Sequence, residues 1–145
     1  MLNSLYQELI LDHGRSPRNH RKMEFPTHTQ EGHNPLCGDN VTVYVDSRDG
    51  VVNDISFLGD GCAICMSSAS LMTAALKGLT VHDAKLLFEK FHQMLTTETK
   101  DLDDLGKLSA LQGVAAYPMR VKCASLPWHA FLAAMNQDNK PASTE

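Results

Sequence analysis

The sequence has no long apolar run and no basic tract. None of its apolar stretches approaches the roughly 20 residues that a helix needs to cross a bilayer, so we expect no membrane partner. There are 13 Lys and Arg against 17 Asp and Glu, which gives a formal net charge of −4. An acidic chain without clustered cations is a poor match for nucleic acid, so we expect no nucleic-acid partner either.

The first residues also lack the pattern of an export signal. Met1–Leu5 carries no cationic segment ahead of an apolar one, and we therefore expect a cytoplasmic protein. The length of 145 residues, with 43% hydrophobic and 21% charged residues, is typical of one globular domain. We predict a single domain over residues 1–136 and a polar, disordered tail over residues 137–145.

Against these absences stand four cysteines, which are Cys37, Cys62, Cys65 and Cys123. In a secreted domain they could form two disulfides. In a reducing compartment, grouped cysteines more often bind metal or carry out thiol chemistry. The missing export signal favours the second interpretation.

Periodicity predicts several helices and a hairpin. Helical spacing of apolar residues predicts helices over 2–13, 62–76 and 81–95, a short helix over 108–116, and a last helix that begins near Ser125. Alternation predicts strands over 41–45 and 51–58, joined by a turn at Asp49-Gly50. Gly78 ends the second helix and Thr80 caps the third. We expect loops over 20–40, with room for one short strand, and over 96–106.

Three cysteines fall at the predicted boundaries of these elements. Cys37 lies in the loop before the first strand, Cys62 follows the second strand, and Cys123 precedes the predicted last helix. At helix N-termini, as expected for Cys62 and Cys123, unpaired N–H groups and the helix dipole favour the negative charge of a thiolate. Arg120 and Lys122 add positive charge beside Cys123.

These residues suit zinc chemically. Asp39 follows Cys37 by two residues, so three thiolates and one carboxylate could form a tetrahedral set for zinc. Their long separations match no compact zinc-finger spacing, however, and spacing alone leaves open that the cysteines are small buried hydrophobes. Cys62 and Cys65 also form a CxxC pattern, a weak redox signal here because no βαβ context surrounds it.

Four stretches together carry a family resemblance. They are Asp12-His13 with Pro17-Arg18-Asn19; Asn34-Pro35-Leu36-Cys37-Gly38-Asp39; Gly59-Asp60-Gly61-Cys62-Ala63-Ile64 with Ser67-Ser68-Ala69-Ser70; and Ala110-Leu111-Gln112-Gly113-Val114 with Pro118-Met119-Arg120-Val121-Lys122-Cys123. In these the chain resembles the IscU/NifU-like iron–sulfur cluster assembly family, and within it the SufU type. The resemblance implies an α+β fold, in which a small antiparallel sheet of about three strands packs against several helices, with the site at one end.

The resemblance also implies a site and an activity. Zinc would be held by Cys37, Asp39, Cys62 and Cys123, and Cys37 would accept persulfide sulfur from a SufS-type cysteine desulfurase. The expected acceptor of that sulfur is a SufBCD-type scaffold. Scaffold-type IscU proteins usually have His before the third cysteine, where this chain has Lys122. SufU-type proteins also carry an extra segment between the second and third cysteines, and residues 93–114 resemble that segment.

Two other functions and several residues stay open at this point. The chain could be a scaffold for a transient [2Fe-2S] cluster on the same cysteines, or a non-catalytic zinc-binding activator of the desulfurase. Cys65, where the family commonly has a small residue, is expected to pack, with a resolving or sulfur-carrying thiol as the alternative. We expect His13 to pack or cap, and the loop residues His28 and His33 to be solvated.

Overall fold

The computed structural model describes residues 4–35, 38–97, 104–136 and 142–143. Among the helices in these ranges, none is both long and apolar enough to cross a membrane. The elements, in chain order, are α1 (Ser4–Arg15), β1 (His28–Asn34), β2 (Asp39–Arg48), β3 (Val51–Asp60), α2 (Ala63–Leu76), α3 (Val81–Thr96), a 3₁₀ helix (Gly106–Ala116), α4 (Pro118–Met135) and β4 (Ala142–Ser143).

The sheet has the strand order β3-β2-β1-β4 over the described residues. The three long strands β1, β2 and β3 pair antiparallel, and the two-residue β4 adds to β1 in parallel. The expected α+β fold with a small antiparallel sheet and several helices is confirmed. Within the predicted loop over 20–40, the one strand that the sequence left room for is β1, and it has seven residues.

The hairpin between β2 and β3 lies where the sequence predicts it. Arg48 pairs with Val51, which leaves Asp49 and Gly50 as a two-residue turn. Both turn residues have positive φ, 53° and 76°, as the tight turn of a twisted hairpin requires. Strand β2 begins at Asp39, two residues earlier than predicted, and this places a candidate site residue at the very end of the sheet.

The helices α4 and α2 pack on the sheet, α4 against β1 and β2 and α2 against β3. The close approach of α4 requires a glycine in β1, because a Cβ at Gly32 would lie 3.2 Å from the Cβ of Ala130. Outside this layer, Phe91 of α3 stacks on Trp128 of α4 with ring centroids 4.7 Å apart. Both rings are fully buried, so the aromatic pair joins α3 to the core.

The start of α4 corrects the prediction. The helix begins at Pro118, not near Ser125, and Pro127 lies inside it rather than in its first turn. Pro118 is well suited to the first helical position because its missing N–H needs no partner there. Pro127 cannot donate to the carbonyl of Cys123, and the burial of Trp128 beside it offsets that loss. Cys123 therefore lies in the second turn, and its predicted place at a helix N-terminus is wrong.

Parts of two predictions lie outside the described residues. Residues 98–103 belong to the predicted loop over 96–106. Of the predicted tail, the structure describes only Ala142 and Ser143, which pair with Gly32 and His33. The domain boundary at residue 136 and the disorder of the tail stay predictions.

Candidate metal centre

Asp39 opens β2 at the edge where β3 ends. The register pairs Asn40 with Asp60, so Asp39 lies beside the junction between β3 and α2. Gly61 at this junction leaves room for the carboxylate, since a Cβ there would lie 3.0 Å from Asp39 Oδ1 and 3.3 Å from the Cβ of Cys65. A larger residue at position 61 would crowd the Asp39 side chain, which is only 2% exposed.

Cys62 is the N-cap of α2, with φ −68° and ψ 167°. Its backbone N–H donates to Asp39 Oδ1 at 2.8 Å, and its thiol lies 3.6 Å from Asp39 Oδ2. The N–H of Cys65 donates in turn to Cys62 Sγ at 3.4 Å. The first N–H groups of a helix lack partners within it, and here they point at a carboxylate and a sulfur.

Cys123 reaches the same place from α4. It is 1% exposed, and its thiol contacts the carbonyl of Met119 one turn earlier at 3.5 Å. The next residue is tied to α2, because Ser68 Oγ donates to the carbonyl of Ala124 and accepts from Trp128 Nε1 at 3.2 Å. Ser68 thus fixes the helix that carries Cys123 against the helix that Cys62 caps.

The stretch from Asp12 to Arg18 anchors α1 on α2. Arg18 forms an ion pair with Asp12 at 2.6 Å, and its backbone N–H donates to Ser70 Oγ at 2.8 Å. Nδ1 of the buried His13 lies 2.6 Å from the same oxygen. Burial lowers the pKa of His13, and the Arg18 guanidinium acts in the same direction, so the neutral ring is favoured. His13 packs here, and the stretch holds α1 against α2.

Asp39, Cys62 and Cys123 converge. One ligand atom from each lies within 4.8 Å of the others, and within the described residues this is the one such group of three or more metal-binding side chains. Tetrahedral zinc holds sulfur and oxygen ligands about 3.5–3.8 Å apart, so a small inward movement of the three would fit the ion. Two thiols and a carboxylate suit zinc chemically.

The comparisons with known proteins identify the family of the chain. The sequence model described as NifU-like N terminal domain matches residues 5–124. The chain belongs to this family. It is 39% identical over 130 residues to a protein of Bacillus subtilis (strain 168) named "Zinc-dependent sulfurtransferase SufU", and the match covers 89% of this chain and 88% of that protein.

Two further members of the NifU-like family are similar over most of their length. A Thermotoga maritima protein named "Iron-sulfur cluster assembly scaffold protein IscU" is 36% identical, with 94% of this chain and 96% of that protein covered. A crystal structure described as a putative iron-sulfur cluster assembly scaffold protein for the SUF system, from Fervidobacterium islandicum AW-1, superposes with a TM-score of 0.84 at 34% identity. It covers 88% of this chain and 94% of that one. The resemblance inferred from the sequence is confirmed.

The structure brings together three of the four predicted ligands. Cys37, the fourth, lies outside the described residues, so its predicted roles as ligand and acceptor stay predictions. His28 and His33, predicted to lie in a loop, lie instead in β1. Neither belongs to the group of ligand atoms: His28 bonds to Thr27 at 2.9 Å, and His33 bonds to the side chain of Asn40.

A cavity of about 560 Å³ adjoins the centre at Cys62. Arg120, one of the two predicted supporting cations, lines it, whereas the half-buried Lys122 is not among its described lining residues. Sequence reasoning missed Ile64 and Tyr117 in the same wall. Tyr117 is 63% exposed and comes just before the Pro118 that starts α4, a boundary that the sequence did not predict.

Proposed function

We propose that the protein is a zinc-dependent sulfurtransferase. It accepts persulfide sulfur from a SufS-type cysteine desulfurase on Cys37 and passes it to SufBCD-type cluster assembly. The observation that carries the proposal is the convergence of Asp39, Cys62 and Cys123, whose ligand atoms lie within 4.8 Å of one another. The similarity to a relative named as a zinc-dependent sulfurtransferase supports it.

The residues that would hold zinc are Cys37, Asp39, Cys62 and Cys123. Cys37 is two residues from Asp39, so covalent geometry keeps their Cα atoms within about 7.5 Å of each other. Bound zinc would keep the thiols deprotonated and shield them from oxidation. Asp39 and Cys123 are almost fully buried and Cys62 is half-buried, so the group opens to solvent on the Cys62 side.

The transfer itself is a thiol exchange at sulfur. The Cys37 thiolate attacks the outer sulfur of the persulfide on the desulfurase cysteine. A new S–S bond forms at Cys37, the S–S bond on the desulfurase breaks, and the desulfurase cysteine leaves as a thiolate. The transferred sulfur keeps its oxidation state, so the step needs no external oxidant or reductant.

The cavity beside Cys62 supports an approach from this side. Ile64, Val114 and Tyr117 give it apolar walls, and Cys62 lines it. Arg120 lines the same cavity, and its positive charge would attract the anionic persulfide.

A desulfurase assay tests the proposal. A SufS-type enzyme receives cysteine with the zinc-loaded protein, with its Cys37→Ser variant, or alone. We expect the protein to stimulate cysteine turnover and to carry added sulfur on the tryptic peptide of residues 23–48, which contains Cys37 as its one cysteine. Stimulation that survives in Cys37→Ser, with zinc bound, would instead indicate a non-catalytic activator.

The second candidate is a scaffold for a transient [2Fe-2S] cluster. The identity of 36% to a protein named as an IscU scaffold, over almost the full length of both chains, favours it. Under this function, anaerobic reconstitution with iron and sulfide would give cluster absorbance and transfer to an apo-ferredoxin. A lack of both, in a protein that accepts sulfur on Cys37, would remove this candidate.

A further inference from the structure

Cys65 has no part in the proposed transfer, yet it contacts the centre. It belongs to the first turn of α2, three residues after the N-cap Cys62. Its backbone N–H donates to Cys62 Sγ at 3.4 Å, and its side chain is 0% exposed. Cys62 is half-buried and lines the open cavity of the centre.

Two distances indicate that Cys65 lies against Cys62 and the residue before it. The extended backbone of the N-cap turns the Cys62 sulfur back over the first turn, to the N–H of Cys65. On the other side, a Cβ built on Gly61 would lie only 3.3 Å from the Cβ of Cys65, so that Cβ lies over the junction that carries Cys62. Residues three apart in a helix have Cα atoms about 5–6 Å apart, within the range of roughly 4.4–6.8 Å that a disulfide spans.

We propose that Cys62 and Cys65 form a redox modification site, which closes to a disulfide when no metal holds Cys62. The co-reactant is a low-molecular-weight disulfide of the glutathione class. The sulfur of the half-buried Cys62, which lines the cavity, reacts first, and the sulfur of the buried Cys65 resolves the product. The inference goes beyond the proposed function, since it requires only the geometry of this pair.

The chemistry takes two thiol–disulfide exchanges. The Cys62 thiolate attacks the small disulfide, forms a mixed disulfide, and releases one small thiolate. The Cys65 sulfur then attacks the Cys62 sulfur of the mixed disulfide, and its proton passes to the second small thiolate, which leaves as a thiol. Two protein thiols are oxidised, and one small disulfide is reduced to two thiols.

The difference in exposure fixes the roles. A reagent in the cavity reaches Cys62, whereas the fully buried Cys65 is in reach only of its protein neighbours. The competing partner is Cys123, whose sulfur lies within 4.8 Å of Cys62 Sγ but belongs to another helix. A disulfide between Cys62 and Cys65 would remove Cys62 from the group of candidate metal ligands and would therefore favour the metal-free protein.

Tryptic mapping separates these outcomes, because three peptides divide the cysteines. Residues 23–48 contain Cys37, residues 49–77 contain both Cys62 and Cys65, and residues 123–145 contain Cys123. The full chain, zinc-loaded or stripped with a chelator, is incubated with oxidised glutathione, alkylated and digested without reduction. We expect the peptide of residues 49–77 from the stripped protein to lose two hydrogens and to resist alkylation.

Two variants provide the controls. In stripped Cys65→Ser, glutathione should stay on Cys62, with a mixed-disulfide fraction about tenfold above that of the parent protein. In Cys123→Ser, the disulfide within residues 49–77 should still form. Two results in the parent protein would overturn the inference. One is a disulfide between the peptides of residues 49–77 and 123–145, and the other is a mixed disulfide with glutathione that persists on Cys62. Mapping the parent chain decides the matter even if a variant fails to fold, and neither result depends on sulfur transfer.

Discussion

Replacing Asp39 separates its two roles in the centre. Its carboxylate accepts the N–H of Cys62 at 2.8 Å, and it is also one of the three converging side chains that we propose as zinc ligands. Asp39→Ala removes both roles, whereas Asp39→Asn keeps a carbonyl that can accept the N–H. Because Asp39 is 2% exposed, water cannot replace the lost acceptor in the alanine variant.

The magnitudes follow from this geometry. Leaving the Cys62 N–H unpaired should lower the free energy of unfolding of metal-free Asp39→Ala by about 2 kcal/mol. Structural zinc sites are worth roughly 10–16 kcal/mol, so one ligand of four contributes about 3 kcal/mol, and both variants should bind zinc about 100-fold more weakly. Metal-free Asp39→Asn should unfold within about 1 kcal/mol of the parent protein.

Two measurements check these values: competition with a chromophoric zinc chelator, and chemical denaturation of the chelated protein followed by circular dichroism. Asp60→Asn is the matched control, since it makes the same charge change at an exposed position at the end of β3. Zinc affinity in Asp39→Asn equal to that of Asp60→Asn would refute Asp39 as a ligand.

Two further predictions concern stability. Ser68→Ala should lower the free energy of unfolding by about 2 kcal/mol, because the buried Trp128 Nε1–H loses its acceptor and the Ala124 carbonyl loses a donor. Burial lowers the pKa of His129 below its ordinary 6.5, and the neighbouring His92 lowers it further. As pH falls, the unfolded chain therefore binds a proton at His129 before the folded protein does. The free energy of unfolding should decrease as pH drops below 6.5, and this decrease should be less steep in His129→Gln.

The pH test needs metal-free protein, because acid also releases metal from thiolates. The Ser68 test uses the same metal-free protein. For Ser68, the exposed Ser16→Ala is the control, and equal unfolding midpoints for the two variants would contradict the role of Ser68. For His129, the free energy of unfolding is measured by denaturant titration above and below pH 6.5. Burial also lowers the pKa of His13, so part of the pH dependence should remain in His129→Gln. If the free energy of unfolding of His129→Gln depends on pH as steeply as that of the parent protein, His129 does not contribute to it.

Local signals predicted those elements that depend on neighbouring residues. The Asp49-Gly50 turn needs two residues with positive φ, and Thr80 accepts the N–H of Asp83 as a helix cap, so both can be read from a few letters. The start of α4 could not be read in this way. Helix propensity places Pro127 near an end, whereas in the structure it lies inside a helix whose neighbouring residues, Trp128 among them, are buried.

The candidate site was predictable in its members but not in its geometry. The resemblance named Asp39, Cys62 and Cys123, whose separations along the chain match no compact motif. The structure shows why they meet: the β2–β3 register brings Asp39 to Cys62, and Ser68 holds α4 against α2. The contact of Cys65 with Cys62 depends on the N-cap conformation, which the CxxC pattern alone does not specify.

The proposed function depends most directly on the transfer of persulfide sulfur to Cys37. A SufS-type desulfurase is loaded with persulfide labelled with a heavy sulfur isotope, freed of cysteine, and mixed with one equivalent of the zinc-loaded protein. Mass spectrometry then follows the label in a single turnover. We expect one labelled sulfur on residues 23–48, lost in Cys37→Ser, while the desulfurase returns to its thiol. Label that stays on the desulfurase, or that reaches residues 49–77 or 123–145 first, would contradict the proposed function.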